Sequence, residues 1–532
     1  MLAQHDTDCG GSDGACASIM LVPSSRSDEH EDNCACAGEY LRARARDDED
    51  DCACATENQA IAWQLAPQTI FQPLTTDKVL LANPAVDGSL MVLDRQAAAL
   101  FAALTAPPPE SNCAPASRLV NDCAPPFPAE QVRGLTRQWQ RMGLLVQAES
   151  NCACAATDPT CGLPRAVPVA LTAWLHLTDR CNLRCDYCYL PHVREDMSPG
   201  TGRAAIDATF RSAIANGFEQ VKLKYAGGEP LLRFPLIVEL HQYAQKRAEE
   251  HGLGLEGVVL SNGTLLTGSM ASTLRTLGLR LMISLDGLGA YHDAHRRYAG
   301  GRGSFADVAE AVDLALAHGL TPSISVTVSS RTAEGLADVM AWILERELPF
   351  SLNFYRENDL SASHEDMRLD EQKIIAGMLA AFKVIEENLP RHPFLGGIID
   401  RADLSIGHTH TCGVGQNYLV FDQNGQVAKC QMLIRRPVTD AHAADALALV
   451  RADRLGVQNV SVDEKEGCRD CQWKYWCAGG CPLATYRATG RYDGKSPNCN
   501  IYRALFPEAL RLEGLRLLKY QDDPEVVEKI VI

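Results

Sequence analysis

No window of eighteen consecutive apolar residues occurs in the 532-residue chain, which excludes a membrane-spanning helix on hydropathy. Positive charge is also scarce, with 50 Lys and Arg against 67 Asp and Glu and a formal net charge of -17. An acidic surface repels phosphate, so neither nucleic acid nor an anionic membrane is an expected partner. The first six residues carry no basic region, and the apolar run 19–22 is too brief for a signal-peptide core. A cytoplasmic protein is expected.

Apolar residues are not lacking. At 46% of the chain they suffice for two or three domains with their own cores. Cysteine is abundant, with 21 residues. Disulfide frameworks belong to oxidising compartments and small domains, and neither fits, so metal or redox use leads. Eleven cysteines precede residue 165, three fall at 181–188, and seven lie between 412 and 499.

Residues 1–60 are acidic, Cys-containing and almost without periodic apolar pattern, so disorder is expected there. Over 61–160, strands are expected at 78–83 and 89–93, helices at 95–104 and 129–143, and a closing strand at 144–146. That order suggests a small winged-helix-like domain, interrupted by a Pro-rich piece at 107–128. Over 165–358, strands at 174–177, 220–225, 257–260, 280–285, 323–328 and 351–355 alternate with amphipathic helices such as 204–216 and 306–318. About thirty residues per strand–helix pair indicate βαβ units and a parallel sheet. Six strands are too few for a closed eight-fold barrel, so the fold class is α/β with a partial (β/α)6 TIM-like barrel. A bridging helix at 370–388 lies within 359–405. The Cys- and Gly-rich stretch 406–505 has few long periodic runs and would need metal clusters as its core; 506–532 is expected as a C-terminal helix and tail.

Cys181, Cys185 and Cys188 follow directly on the first of those strands. In a parallel α/β barrel, catalytic groups sit on loops at the carboxyl ends of strands. Three thiolates cannot satisfy four irons, so a 4Fe–4S cluster held here keeps one iron open to a chelating amine and carboxylate. A zinc site lacking its fourth ligand is the alternative on spacing alone. Further motifs follow at later strand ends: Gly227-Gly228-Glu229-Pro230, Ser261-Asn262-Gly263-Thr264, Ser284-Leu285-Asp286-Gly287, and then His292–Arg296.

Taken in order, these motifs resemble the radical S-adenosylmethionine (SAM) superfamily over about 165–505. The resemblance implies a SAM-binding 4Fe–4S cluster on Cys181, Cys185 and Cys188, with Tyr187 beside the adenine. It implies contact of Gly227, Gly228, Glu229 and Pro230 with the SAM amino group. Ser261, Asn262, Ser284 and Arg296 fall in the ribose- and carboxylate-binding stretches, Ser284 and Arg296 being the expected carboxylate contacts. Arginine suits that role because it can grip a carboxylate with two hydrogen bonds.

The later cysteines run Cys412, Cys430, Cys468, Cys471, Cys477, Cys481 and Cys499, with Gly425 five residues before Cys430. This is similar to the SPASM extension of peptide-modifying radical SAM enzymes, especially in Cys477-Ala478-Gly479-Gly480-Cys481. The resemblance implies two auxiliary Fe–S clusters, expected as 4Fe–4S: one on Cys412, Cys430 and Cys481, the other on Cys468, Cys471, Cys477 and Cys499. One or two structural zincs are the alternative. The first set shows only three thiolates, leaving an open iron or an unrecognised ligand. Sulfatase-maturing members of the family carry an Asp base directly after the second cysteine; here that residue is Gln431, which cannot accept a proton at neutral pH.

The 78–146 unit resembles the RiPP recognition element of enzymes that act on ribosomally made peptides, which captures a leader peptide along a strand edge. An ordinary winged helix or structural cap also fits. Short Cys-Ala elements recur at Cys34, Cys52, Cys113, Cys123 and Cys152 without an assigned role. The function implied is peptide modification by a 5′-deoxyadenosyl radical, forming a C–C or thioether cross-link. Peptide dehydrogenation or epimerisation, maturation of a partner enzyme's subunit, and a non-catalytic cluster scaffold are the alternatives. Expected partners are a precursor peptide or small protein substrate and an electron donor such as flavodoxin or ferredoxin.

Overall fold

Period-two alternation of apolar residues shapes both parts of the molecule, which the computed structural model describes over residues 19–21, 63–66, 68–85, 90–105, 129–147, 168–361 and 363–523. The remainder of the acidic segment 1–60, the 107–128 insertion, the Cys-Ala elements and the tail beyond 523 lie outside the described residues. The chain divides into two compact units, the larger spanning Leu163–Val526.

In the N-terminal unit the strands are β1 (Ile19–Leu21), β2 (Trp63–Leu65), β3 (Ile70–Pro73), β4 (Lys78–Ala82), β5 (Met91–Asp94) and β6 (Leu145–Gln147). Helices α1 (Arg95–Thr105) and α2 (Ala129–Arg141) lie between β5 and β6. The antiparallel sheet runs β1-β5-β4-β3, while β6 pairs with β2. Leu81, Met91, Leu93, Phe101 and Trp139 are fully buried, and the Phe101 and Trp139 rings meet edge-on at 4.9 Å. The expected hairpin, helices and closing strand are present in that order. Two differences stand out. Strands β2 and β3 were not anticipated, and the closing strand pairs with β2 instead of the hairpin. Within the segment expected to be disordered, the apolar triplet Ile19–Leu21 forms β1 against β5.

The larger unit begins with β7 (Ala170–His176), α3 (Pro199–Ala215), β8 (Gln220–Ala226), α4 (Phe234–His251), β9 (Gly254–Ser261), α5 (Gly268–Thr276) and β10 (Arg280–Ser284). It continues with α6 (Phe305–Ala317), β11 (Ser323–Val328), α7 (Leu336–Glu345), β12 (Phe350–Phe354) and α8 (Glu371–Glu387). These six strands are parallel and lie in chain order, as expected for a partial barrel. Val221, Leu223 and Tyr225 of β8 are fully buried, and the Tyr225 hydroxyl lies 3.2 Å from His241 of α4. Their alternates Lys222 and Lys224 therefore face the concave interior.

The C-terminal stretch continues the same sheet. Strand β13 (Tyr418–Phe421) adds parallel to β7, and β14 (Gln426–Ala428) and β15 (Pro437–Asp440) follow antiparallel. Leu419, Val420, Phe421 and Val427 are fully buried. The expectation that this stretch has only metal clusters for a core is corrected: strands of three or four residues are too short to show a period, yet they bury apolar side chains against the barrel. The last helix, α9 (Cys499–Lys519), starts at a cysteine, earlier than the expected 506.

Candidate iron–sulfur centre

The loop leaving β7 carries Cys181, Cys185 and Cys188, and two contacts fix it. The short strand Leu183–Cys185 pairs antiparallel with Arg296–Tyr298, setting Cys185 opposite Arg296. The loop also rests on the glycine pair at the end of β8, where Gly228 N–H donates to the Thr178 carbonyl at 2.7 Å and Glu229 N–H to the Arg180 carbonyl at 2.8 Å. A Cβ on Gly228 would stand 2.3 Å from the Arg180 oxygen, and one on Gly227 2.5 Å from the Thr178 oxygen. Only glycine permits this approach.

The three thiols are partly buried and lie within electrostatic reach of one another. Burial, and then the Glu229 carboxylate, pushes Cys181 up to about 11. Burial pushes Cys185 to about 12 against the pull of Arg296, and raises Cys188 as well. A metal binding here must displace those protons. All ten described cysteines are free thiols.

Glu229 is fully buried, and its carboxylate accepts hydrogen bonds from Leu231 N–H at 2.9 Å, the Ser261 hydroxyl at 2.8 Å and Asn262 N–H at 2.8 Å. It ties the ends of β8 and β9 together. Pro230 opens the 3-10 turn Pro230–Arg233. The Asn262 amide donates to Asn182 at 2.9 Å and lies 3.8 Å from the Cys181 sulfur. Ser284 ends β10, in register with Ser325 of β11. Arg296 is buried and donates from Nε to Asp286 at 2.8 Å, while Nη1 lies 3.9 Å from the Cys185 sulfur. One edge of the guanidinium is therefore already occupied, leaving the other toward the thiols. Tyr187 donates its hydroxyl to Asp286, stacks edge-on with His295 at 5.4 Å and lies under Arg296 at 5.3 Å.

The remaining described cysteines interact in two groups. Cys412, Cys430 and Cys481 act on one another electrostatically. Cys477 likewise feels Cys468, Cys499 and Cys471. Those four line one small cavity of about 20 Å³. Burial pushes Cys430 and Cys477 to about 12 and Cys468 to about 11. The Ala-Gly-Gly link explains how two cysteines so near in sequence part company. Ala478, Gly479 and Gly480 have φ of 45°, 77° and 70°, a left-handed turn that sends Cys477 to one set and Cys481 to the other.

Three residues near these sets carry no sequence motif. Arg356, just past β12, hydrogen-bonds Cys481 and is held by Asp400 at 2.7 Å. Burial pushes the Cys481 thiol up, but Arg356 and the Ala484 N–H bring it below its ordinary value. Asn459 donates to the Cys412 carbonyl at 2.6 Å, and its own Oδ1 is buried without a partner among the described residues. Lys465, 1% exposed, donates to the Ala478 carbonyl at 2.6 Å and feels thiols of both sets. Only Arg356 had a usable signal: it follows the sixth strand end, where the other strands carry their site residues.

Three thiols at the carboxyl end of the first strand of a parallel partial barrel, backed by a glycine pair and a buried arginine, define a radical SAM site. Residues 175–343 match the family model described as the Radical SAM superfamily, so this stretch of the chain is a radical SAM domain. Members of that superfamily work with SAM and a 4Fe–4S cluster, and a three-thiol set fits a cluster that keeps one iron without a protein ligand.

The chain is 26% identical over 349 residues to a serine-type anaerobic sulfatase-maturating enzyme of Klebsiella aerogenes, covering 62% of this chain and 82% of the relative. It is 20% identical over 323 residues to the cysteine-type enzyme of Clostridium perfringens, covering 57% and 85%. The solved structure of native anSMEcpe with bound AdoMet and Cp18Cys peptide shares the fold, with a TM-score of 0.54 and 19% identity over 66% of this chain and 99% of that one. No helix among the described residues is long and apolar enough to cross a membrane.

Proposed function

We propose that this enzyme modifies a ribosomally made peptide by a 5′-deoxyadenosyl radical and closes a C–C or thioether cross-link in it. The observation that carries the proposal is the presence of three separate cysteine sets in one compact unit, one at the barrel mouth and two in the extension. Relatives include enzymes named for maturating sulfatases, and one solved relative holds a peptide. Sulfatase maturation itself is disfavoured, because Gln431 occupies the expected base position and accepts a hydrogen bond from the Tyr418 hydroxyl at 3.2 Å.

Cys181, Cys185 and Cys188 would hold the SAM-binding cluster, which when loaded supplies the electron that splits the S–C5′ bond of SAM. Arg296 would present its free edge to the SAM carboxylate, with Ser284 at the neighbouring strand end. Cys412, Cys430 and Cys481, and Cys468, Cys471, Cys477 and Cys499, would hold the auxiliary clusters that remove the electron left over after bond formation. The N-terminal unit would act as the leader-binding domain, with β3 offering an edge strand among the described residues and Phe71 exposed on it. A flavodoxin or ferredoxin would supply electrons in the cytoplasm.

Anaerobic reconstitution with dithionite and SAM tests the proposal. The wild type should form 5′-deoxyadenosine and Cys185→Ala should form none; absence of the product in the wild type would leave a binding scaffold. A peptide substrate should lose two hydrogens, with fragmentation distinguishing a ring from an alkene. Unchanged mass would indicate epimerisation instead.

A further inference from the structure

The concave face of the sheet concentrates positive charge in a protein of net charge -17. Lys222 of β8, Arg280 at the start of β10, and Arg401 all act electrostatically on Lys224 of β8. The Glu256 carboxylate of β9 is shared between Lys222, at 3.3 Å, and Arg280, and the Asp400 carboxylate acts on Arg401. No carboxylate among the described residues pairs with Lys224 or Arg401. The Lys224 ammonium instead lies 5.8 Å from the ring centroid of Tyr418. Burial, and then repulsion from Arg401 and Lys222, lowers its proton affinity to about 8.

A second donor stands beside it without an acceptor. Trp174 of β7 is in register with Lys224, so the two side chains are lateral neighbours on the interior face. The Trp174 indole Nε1 is buried and has no hydrogen-bond partner among the described residues. A buried N–H left unpaired is costly, and so is a partly buried ammonium without a counter-ion. Two adjacent unfilled donors inside the barrel call for an anionic acceptor that the described residues do not provide.

We propose that Lys224, with the indole N–H of Trp174, receives a carboxylate of the peptide substrate and thereby selects which peptide enters the barrel. This rests on the peptide-modifying role proposed above and assigns the substrate a chemical class: a peptide carrying an Asp or Glu side chain, or a free C-terminal carboxylate, at the reacting segment.

The test uses the full chain, anaerobically reconstituted with SAM, and a defined mixture of nonapeptides. The peptides differ at one position among Asp, Glu, Asn, Gln and Ala, each made as C-terminal amide and as free acid. Retention is read by ultrafiltration and mass spectrometry. The wild type should retain carboxylate peptides at least about ten-fold over their amide counterparts, the scale of one charged hydrogen bond. Preference for Asp or Glu identifies a side chain; preference for the free acid identifies the C-terminus. Lys224→Met should abolish the preference, Lys224→Arg should restore it, and Trp174→Phe should reduce it a few-fold.

No carboxylate preference in the wild type, including no measurable retention, overturns the proposal. So does a preference that survives Lys224→Met. A Lys224→Met variant that keeps the preference while shifting the auxiliary-cluster paramagnetic spectrum would make Lys224 a counter-charge for the Cys412 set instead. Measuring 5′-deoxyadenosine on the same wild-type sample separates the two proposals: formation of this product with no selectivity sinks only the carboxylate site, whereas its absence sinks the enzymatic role.

Discussion

Arg296 and Asp286 form a buried ion pair, Nε to Oδ2 at 2.8 Å, directly beside Cys185. Asp286 also accepts from the Thr327 N–H at 2.8 Å and from the Tyr187 hydroxyl, so its two oxygens join the cluster loop, the β10-facing edge of β11 and the arginine. Breaking a buried pair by removing one partner costs about 3–5 kcal/mol because the other charge is left alone. Asp286→Ala should therefore lower the unfolding free energy by that amount, measured by urea denaturation under anaerobic conditions. A loss under about 1 kcal/mol would show the pair to be solvated.

The same pair predicts a pH dependence. Burial alone would raise the Asp286 carboxyl, but Arg296, then His295 and His292, bring it below its usual value. A group whose folded affinity for protons is depressed stabilises the fold above its unfolded value, about 3.9, and loses that contribution as pH falls through the folded value. The melting-temperature gap between wild type and Asp286→Asn should be constant near neutrality and narrow below about pH 4. A gap that widens in acid would reverse the sign and reject the assignment.

Glu229→Gln replaces one carboxylate oxygen with an amide donor facing Leu231 N–H, Ser261 and Asn262. At least one of those donors loses its acceptor, costing about 1–3 kcal/mol. Because Asn262 lies 3.8 Å from the Cys181 sulfur, the reduced cluster's spectral response to added SAM should weaken while auxiliary signals persist. An unchanged melting temperature and an unchanged response together would refute the tie.

The three cysteine sets should load independently. Cys477→Ala and Cys430→Ala should each remove one cluster, about four irons per chain if it is 4Fe–4S, and each should leave a SAM-responsive signal from the Cys181 set. Iron analysis and electron paramagnetic resonance check this. Loss of the SAM-responsive signal in either variant would show that the sets are not separate.

Phe421 is fully buried on β13, between β7 and β14. Phe421→Ala should destabilise the larger unit by about 3–5 kcal/mol, the usual cost of emptying a buried aromatic site. The measurement should be made on metal-loaded and metal-free protein alike. Equal loss in both would show that apolar packing supports the extension beside its clusters; no loss in the metal-free form would restore a core made by metal alone.

Much of this was decided locally and could be read along the chain. The six barrel strands follow from period-two alternation, as in β11, where Ile324, Val326 and Val328 are buried between partly exposed neighbours. The cluster loop follows from cysteine spacing at a strand end, and Gly227-Gly228 from a backbone approach that admits no Cβ. Other features required the folded chain. Arg296 meets Cys185 only because two short strands pair across 111 residues. Glu229 turns inward because its carboxylate satisfies backbone donors on two loops, Arg356 reaches Cys481 from another strand end, and β13 joins β7 through backbone hydrogen bonds that leave no periodic trace in four residues. Sequence records which side chains are available and how short segments prefer to lie. Which distant donors find which acceptors, and which charges such as Lys224 are left facing the interior without one, depends on burial, and burial exists only after the strands have assembled.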